Sequence, residues 1–304
     1  MMQISPITVR DSYSKAQQIL AAAGCDTPAL DAELLAAQVL GVERSQLWLE
    51  PERAFSESQL EQFNQLIARR QKREPLPYLL GEWEFYGLRL EVTPAVLIPR
   101  PETETLIEVC LARLSTFNSE LSTLGIDVGT GSGAIAIALA HNLPSLHMIA
   151  TESSEAALAV AQCNILHHNL QNQITLLQGD LLGPLKKYSS ALPGNSELST
   201  LNSQLTFIAA NLPYIPTNII PTLQPEVRDW EPRPALDGGP DGLVYIRQLI
   251  PQARDYLKPG GFIALEISSE QAEEVKRILA LNNFGNLEIV KDLAGKARVI
   301  TAYP

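Results

Sequence analysis

The sequence has few of the residues that mark metal sites, disulfide frameworks and membrane proteins. Its three cysteines, Cys25, Cys110 and Cys163, lie far apart and form no CxxC pair, and its four histidines include no HExxH pattern. The cysteines therefore fit buried free thiols in a reducing compartment better than a zinc site or a secreted disulfide framework. The chain has no long apolar run and no charged-then-apolar N-terminus, so neither a membrane helix nor a signal peptide is predicted. We expect a cytoplasmic protein without a bound metal.

Positive charge is also scarce. Lys and Arg total 23 against 34 Asp and Glu, which gives a formal net charge of −11 and a pI of about 4.9. Non-specific binding to nucleic acid uses clustered Lys and Arg to displace counterions, so the composition argues against it without excluding a locally basic groove. The densest basic cluster comprises Arg69, Arg70, Lys72 and Arg73. Favourable charge at a helix C-terminus explains this cluster better than an acidic partner does.

The first 80 residues carry helical patterns and no convincing strand. Thr8 is a predicted N-cap, Thr27-Pro28 opens a second helix that stops at Gly41, and Ser56 with Gln59 matches a capping box. Within residues 81–99, the run 84–92 alternates and contains a turn at Gly87, which predicts a β-hairpin. We therefore predict a helical substrate-recognition domain over 1–80, a hairpin linker over 81–99 and a separate domain over 100–304.

From residue 124 onward the predicted strands and helices alternate. This pattern indicates an α/β domain in which a largely parallel sheet is covered by helices on both faces. The polar, turn-rich residues 188–204 read as an inserted surface loop. The predicted strands span 124–128, 146–151, 174–178, 205–210 and 262–266, with weaker ones near 287–290 and 299–302, and the first two helices span 134–140 and 154–169.

A glycine-rich run, Asp-Val-Gly-Thr-Gly-Ser-Gly-Ala at 127–134, connects the first strand to its helix. Glycines let the backbone approach a ligand closely, and the helix start supplies free N–H groups and the positive end of its dipole. Glu152, at the end of the second strand, is placed to accept hydrogen bonds from the two hydroxyls of a ribose. A dinucleotide dehydrogenase would use the spacing of Gly129, Gly131 and Ala134, whereas an S-adenosylmethionine enzyme would use the full Asp-x-Gly-x-Gly-x-Gly pattern. The glycine run alone does not decide between these two classes of enzyme.

The fourth predicted strand ends in Asn211-Leu212-Pro213-Tyr214. The asparagine offers a side-chain carbonyl and an NH2 group, and the proline stiffens the turn, so that the carbonyl before it is less easily used by regular structure. Two acceptors beside the flat face of the tyrosine can hold a planar NH2 group. The third strand ends in Gly179-Asp180-Leu181, where an acidic residue suits the rim of an adenine site. No recognisable hydride-transfer group follows the fourth strand, which favours a methyltransferase.

Together these motifs resemble the release-factor glutamine N5-methyltransferases, the HemK/PrmC family of class I S-adenosylmethionine-dependent methyltransferases. The resemblance runs from about residue 8 to the C-terminus. Its most specific element is Ile-Pro-Arg-Pro-Glu-Thr-Glu at 98–104, whereas Asn-x-Pro-Tyr is shared with adenine-N6 methyltransferases. The chain departs from the usual family pattern in having Leu212 in place of proline, Glu152 in place of aspartate and Leu181 in place of a larger aromatic residue.

The resemblance implies both a fold and a reaction. The implied fold is a helical-bundle domain, a hairpin linker and a Rossmann-like catalytic domain with a seven-stranded, mostly parallel sheet. The implied reaction transfers a methyl group from S-adenosyl-L-methionine, leaving S-adenosyl-L-homocysteine, to the side-chain amide nitrogen of the Gln in the Gly-Gly-Gln motif of peptide chain release factors. This protein methylation modulates translation termination.

The resemblance also assigns roles to individual residues. The glycine run would hold the methionine part of the cofactor, Glu152 its ribose and Asp180 with Leu181 its adenine. The implied cofactor-binding residues are Gly129, Thr130, Gly131, Ser132, Gly133, Glu152, Asp180, Leu181 and Asn211. The implied substrate-binding residues are Asn211, Leu212, Pro213 and Tyr214, of which Asn211, Pro213 and Tyr214 are the implied catalytic residues.

Two other functions stay open at the level of sequence. One is an amino-methyltransferase acting on adenine in rRNA or DNA, which the acidic composition disfavours. The other is a nucleotide-binding regulatory module that has lost catalysis through the change at Leu212, which the intact Asn211, Pro213 and Tyr214 disfavour. We expect a monomer that binds release factors and neither nucleic acid nor a membrane.

Overall fold

A computed structural model describes residues 8–49, 53–115, 123–186 and 205–304. The surface loop predicted at 188–204 lies outside the described residues. Internal contacts divide the described chain into two compact units. The first comprises the residues up to Glu82 together with Gln224–Trp230, and the second comprises those of Trp83–Leu223 and Glu231–Pro304. Sequence patterns had not indicated that the short segment Gln224–Trp230 belongs with the first unit.

The first unit is helical, and its helices begin and end at the signals read from the sequence. Thr8 Oγ1 accepts from the Asp11 backbone N–H over 3.1 Å, and Ser56 and Gln59 form a reciprocal capping box. Gly41 ends the second helix in the left-handed conformation that glycine adopts without strain. The helices are α1 (Val9–Ala22), α2 (Pro28–Leu40), α3 (Glu57–Gln71) and α4 (Leu76–Leu80), with a 3-10 helix at Arg44–Trp48 and one helical turn at Pro225–Arg228.

The three arginines of the basic cluster at the end of α3 form ion pairs inside this unit. The buried Arg70 contacts Asp31 at 2.7 Å and Glu226 at 3.0 Å, and Arg73 contacts Glu226 at 2.5 Å. Arg69 pairs with Glu74. Charge at a helix C-terminus is therefore only part of the reason for these arginines, since Arg70 and Arg73 also fix the Gln224–Trp230 segment within the unit.

The second unit begins at Trp83, within the predicted hairpin, and continues as an α/β domain. The hairpin pairs β1 (Glu82–Phe85) with β2 (Leu88–Glu91). The other strands are β3 (Thr123–Val128), β4 (Leu146–Glu152), β5 (Ile174–Gln178), β6 (Leu205–Ala210), β7 (Leu257–Glu266), β8 (Gly285–Lys291) and β9 (Ala297–Tyr303). The main helices are α5 (Glu104–Leu114), α6 (Ala134–Asn142), α7 (Glu155–His167), α8 (Val244–Tyr256) and α9 (Ala272–Leu281).

The seven strands β3 to β9 form one sheet in the order β5-β4-β3-β6-β7-β9-β8. The neighbours from β5 to β7 pair in parallel, and β9 runs antiparallel to both β7 and β8. The strand order reverses between β3 and β6, and ligands of such sheets bind outside the carboxyl ends of the strands at this switch point. The mostly parallel, seven-stranded Rossmann-like sheet predicted from the sequence is thus confirmed.

The sheet is buried on both faces, as parallel sheets require. Successive β6 residues Phe207 and Ile208 belong to different apolar clusters, because side chains alternate across a strand. One cluster includes Leu249 of α8 and Val275 of α9. The other includes Ile137 of α6 together with residues of α5. This two-sided burial explains why the central strands read as continuous apolar runs.

Most of the predicted strand bounds agree with the structure to within two residues, but β7 starts five residues earlier than predicted. The early part contains Pro259-Gly260-Gly261, which reads as a turn in the sequence. In the structure the pairing of β6 with β7 is irregular between Leu205 and Phe207, and this irregularity accommodates the extra residues. A Cβ at Gly261 would lie 2.9 Å from the Leu205 carbonyl oxygen, so the close approach of the two backbones requires glycine.

Candidate active site

A pocket in the second unit lies where β3, β4, β5 and β6 end. Residues far apart in the sequence meet there because the carboxyl ends of parallel strands share one edge of the sheet. The predicted site residues that line the pocket are Gly129, Thr130, Gly131, Ser132, Glu152, Asp180, Leu181, Asn211, Leu212 and Pro213. Gly133 and Tyr214 lie beside this lining and contact other neighbours.

The glycine run turns from β3 into α6 through left-handed backbone. The φ angles are +74° at Gly129, +56° at Gly131 and +85° at Gly133, a region in which other residues are strained. A Cβ built at Gly131 meets no atom within 4 Å, so this part of the loop is open to a ligand. Gly133 instead caps α6. A Cβ built on Gly133 would lie 3.0 Å from Ile137 Cδ1.

Asp127 stabilises this loop through hydrogen bonds. Its carboxyl group is fully buried, and its Oδ2 accepts from Thr130 Oγ1 over 2.6 Å and from the Ala136 backbone N–H over 3.2 Å. Burial raises the pKa of Asp127 to about 7, and the two hydrogen bonds oppose that rise. Asp127 therefore holds the loop and the start of α6 together rather than contacting a ligand.

Glu152 presents its carboxylate to the pocket in a fixed orientation. Its Oε2 accepts from the Gly131 backbone N–H over 3.1 Å, and its Oε1 accepts from the Ser154 backbone N–H over 2.9 Å. Asp180 is exposed at the end of β5, whereas Leu181 is buried with a φ of +47°. Three adjacent strands thus place an open glycine loop, a held carboxylate and a second acidic residue around one cavity.

Asn211 is oriented by a residue that sequence reasoning missed. The Asn211 Nδ2 group donates to Thr103 Oγ1 over 3.1 Å, and the buried Thr103 also lines the pocket. In the described part of the chain no hydrogen bond ends on Asn211 Oδ1 or on the Leu212 carbonyl. Two acceptors of the turn thus remain uncommitted. The only sequence signal for Thr103 was its place between Glu102 and Glu104 in the 98–104 motif.

Tyr214 is held at both its ends. Its hydroxyl donates to Glu266 Oε1 over 3.3 Å, its carbonyl accepts from Gln271 Nε2 over 2.9 Å, and burial raises its pKa. A Cβ at Gly242 would lie 2.1 Å from the Tyr214 carbonyl oxygen, which accounts for that glycine. Ser268 caps the 3-10 helix that carries Gln271.

The 98–104 motif forms contacts with residues elsewhere in the second unit. Arg100, which lines it, forms an ion pair with Glu231, and burial raises the pKa of Glu231. Glu104 Oε1 accepts from the Tyr86 backbone N–H over 3.0 Å and so holds the hairpin turn. Glu102 is exposed.

Residues 8–49, 53–115, 123–186 and 205–304 contain no group of three or more His, Cys, Asp or Glu arranged to hold a metal ion. In the same ranges, no helix combines the length and the apolar character that crossing a membrane requires.

The site fits S-adenosylmethionine by three structural features. The open backbone at Gly131 leaves room for a ligand chain, the held carboxylate of Glu152 matches a diol, and Asp180 borders the same cavity. The parallel strands β5-β4-β3-β6-β7 follow the order of a Rossmann sheet, and β9 adds an antiparallel strand to it. Fold and site together define a class I S-adenosylmethionine-dependent methyltransferase.

Comparison with known proteins identifies the family. Residues 11–81 match the family model "PrmC N-terminal domain" and residues 110–191 match "Methyltransferase small domain". The release factor glutamine methyltransferase of Moorella thermoacetica is 42% identical, covering 98% of this chain and 99% of the relative. The enzyme of the same name from Geobacter sulfurreducens is 38% identical over 96% and 95%. The chain belongs to the release factor glutamine methyltransferase family, which confirms the resemblance read from the sequence.

Solved structures support the fold independently. The N-terminal domain of human METTL16 in complex with SAH aligns with a TM-score of 0.50 at 16% identity, covering 83% of this chain and 85% of that one. A METTL16 catalytic domain in complex with an RNA hairpin aligns with a TM-score of 0.53 at 15% identity, covering 82% and 84%. At these identities the likeness concerns the fold alone.

Proposed function

We propose that this chain methylates the side-chain amide nitrogen of the Gln in the Gly-Gly-Gln motif of release factors and uses the turn at 211–214 to hold that amide. The observation that carries this assignment is the orientation of Asn211. Its Nδ2 donates a hydrogen bond to Thr103, so its Oδ1 is the amide atom available to a substrate. The carbonyl of the following residue, Leu212, is the second available acceptor. A primary amide of a substrate offers two N–H donors, one for each of these acceptors.

The reaction requires the protein mainly to position the substrate amide. An amide nitrogen is a poor nucleophile because its lone pair is delocalised into the carbonyl. When bound, S-adenosylmethionine supplies the methyl group on a sulfonium that is already a strong leaving group. The protein therefore gains most by fixing the amide in line with the methyl group.

The two acceptors also favour the transition state over the ground state. As the nitrogen attacks, it develops positive charge, and its hydrogens become stronger donors to Asn211 Oδ1 and the Leu212 carbonyl. The ring of Tyr214 packs on the amide plane in this assignment, and Pro213 stiffens the turn. Proton loss follows methyl transfer, so no strong base is required at the site.

The remaining residues are assigned to the cofactor. The glycine run, with Gly129, Thr130, Gly131, Ser132 and Gly133, holds the methionine part. Glu152 accepts the ribose hydroxyls, Asp180 and Leu181 flank the adenine, and Asn211 borders the methyl group.

We assign substrate recognition to the helical residues 1–80, the linker to 81–99 and catalysis to 100–304. The acidic composition supports a protein partner over nucleic acid. Because release factors act on cytoplasmic ribosomes, we place the enzyme in the cytoplasm, and we propose that it works as a monomer.

A single assay tests the function. The purified chain is incubated with a labelled methyl donor and, in separate reactions, with a purified release factor, with rRNA and with DNA. A release factor whose motif Gln is replaced by Glu serves as the matched control. We expect label on the Gly-Gly-Gln peptide and none on the control. Label on nucleic acid alone would support the adenine methyltransferase, and label on no substrate would support a regulatory module.

A further inference from the structure

A buried glutamine, Gln271, contacts the end of the 211–214 turn from the 3-10 helix that follows β7. Its Nε2 group donates to the Tyr214 carbonyl over 2.9 Å and to the Asp241 carbonyl over 3.2 Å. Its Oε1 accepts from the Ser268 backbone N–H over 3.4 Å. Because carbonyls only accept and a backbone N–H only donates, these three partners fix which end of the Gln271 amide faces the turn.

The glycine-containing loop at 238–242 approaches the same backbone closely. A Cβ built at Gly242 would lie 2.1 Å from the Tyr214 carbonyl oxygen. A Cβ built at Gly238 would lie 2.6 Å from the Pro213 carbonyl oxygen. No side chain fits at either distance, so both positions require glycine. The loop thus packs directly on the second half of the turn, and Gln271 joins the two segments through their carbonyls.

The turn is held at both its ends. The last residue of β6, which precedes the turn, pairs with both β3 and β7. In the peptide group that follows Tyr214, the N–H donates to the Leu236 carbonyl over 3.1 Å and the carbonyl accepts from Gln271. Between these two anchors, Pro213 has a locked φ angle. The orientation of the turn therefore depends on the few torsions left between β6 and the Tyr214 carbonyl.

We propose that Gln271 is a positioning residue for methyl transfer. By joining the Tyr214 carbonyl to the 238–242 loop, it holds the turn in the orientation that presents Asn211 Oδ1 and the Leu212 carbonyl to a substrate amide. The proposal rests on the proposed role of the turn in holding that amide. Removing the two N–H donors of Gln271 leaves two carbonyls without this partner, and the turn can then shift. A shift of about 1 Å is enough to cost about 100-fold in rate.

The first test removes the donors. Gln271→Met replaces the side-chain amide at nearly equal length, and Gln248→Met makes the same change at an exposed position of α8. We expect Gln271→Met to lower kcat on the release factor about 10- to 100-fold, with KM for the release factor and the affinity for S-adenosylmethionine changed less than about threefold. Gln248→Met is expected to act like wild type. The value of kcat is expressed per molecule that binds S-adenosylmethionine, so that unfolded chains are not counted. Wild-type kcat in Gln271→Met would overturn the proposal.

The second test displaces the Tyr214 carbonyl without replacing Gln271. Gly242→Ala puts a methyl group where that carbonyl lies. Gly260→Ala is the matched control, because its φ of +77° nearly equals the +76° of Gly242 while a Cβ built there meets no atom within 4 Å. Both variants carry similar backbone strain. We expect Gly242→Ala to lose at least about 10-fold in kcat and Gly260→Ala to stay within about threefold of wild type. Equal kcat in the two variants would contradict the positioning role.

The third test separates positioning from stability. Leu279 is fully buried in α9 and belongs to an apolar core cluster, so Leu279→Ala destabilises the fold without removing a hydrogen bond of the turn. We expect it to lower the midpoint of urea unfolding at least as far as Gln271→Met does, while kcat stays within about threefold of wild type. A loss of kcat as large as in Gln271→Met would mean that destabilisation alone explains the effect, which sinks the proposal.

The same assays separate this proposal from the proposed function. A wild-type chain that methylates no release factor would overturn the proposed function. An active wild type with an equally active Gln271→Met would overturn the positioning role alone.

Discussion

The guanidinium of Arg100 forms an ion pair with the carboxylate of Glu231 and joins two motifs that lie 131 positions apart in the chain. The Glu231 side chain is 1% exposed and that of Arg100 is 32% exposed. The pair therefore fixes the segment that carries Thr103 to the segment that begins at Pro232, both of which line the pocket.

The first prediction concerns this pair. Arg100→Ala leaves a buried carboxylate without its partner, which costs about 3 kcal/mol of the free energy of unfolding, at the low end of the usual range because Arg100 is one-third exposed. Arg100→Ala with Glu231→Gln should recover at least half of that loss, since no buried charge is stranded. Urea unfolding of both variants measures the difference. Equal destabilisation of the two would contradict the assignment.

The second prediction concerns Asn211. Asn211→Ala removes the Oδ1 acceptor and should lose most methyl transfer to the release factor, about 100-fold or more in kcat, because the acceptor is used in the transition state. The affinity for S-adenosylmethionine should stay within a few-fold, since the glycine run and Glu152 are unchanged. Single-turnover methylation and equilibrium cofactor binding separate the two effects. The exposed Asn218, changed to Ala, is the matched control, and turnover at the wild-type rate in Asn211→Ala would refute the assignment.

The third prediction asks what Leu212 contributes in place of proline. Its side chain is buried, and its Cδ2 atom lies 3.2 Å from a Cβ built at Gly129, so the side chain packs under the glycine run while the backbone supplies the carbonyl. Leu212→Ala should lower the free energy of unfolding by about 2–3 kcal/mol and leave kcat within about fivefold. Thermal unfolding and saturating-substrate assays on the same preparation decide this. A loss of kcat as large as in Asn211→Ala would mean that the side chain, and not only the carbonyl, is needed.

The fourth prediction concerns pH and Asp127. The folded pKa of this carboxyl group is raised from 3.8 to about 7, so the unfolded chain releases the proton at a lower pH than the folded chain does. Between about pH 4 and pH 7 the folded state therefore binds more protons, and the stability of the protein falls as pH rises, by on the order of 4 kcal/mol from this group. Asp127→Asn cannot ionise, so its stability should fall less over that range. Urea unfolding at several pH values for both proteins gives the difference, and parallel curves would rule out the raised pKa.

The sequence determined the features that depend on local pattern. Helix caps such as Ser56 with Gln59 are read within four residues, and strands such as β5 and β6 are defined by apolar runs with clear ends. Because the carboxyl ends of parallel strands share an edge, the sequence alone places the polar residues that end β3, β4, β5 and β6 at one site. The motifs supplied the family and the reaction.

Only the tertiary structure decided which distant side chains meet. The contacts of Asn211 with Thr103, Tyr214 with Glu266 and Arg100 with Glu231 join residues that share no period and no spacing, so no local pattern predicts them. The attachment of Gln224–Trp230 to the first unit through Arg70 and Arg73 is of the same kind. The sequence alone thus predicts that an asparagine ends the fourth strand of the catalytic sheet. Which end of its amide faces the pocket depends on hydrogen bonds to residues that folding brings together, and only the tertiary structure decides it.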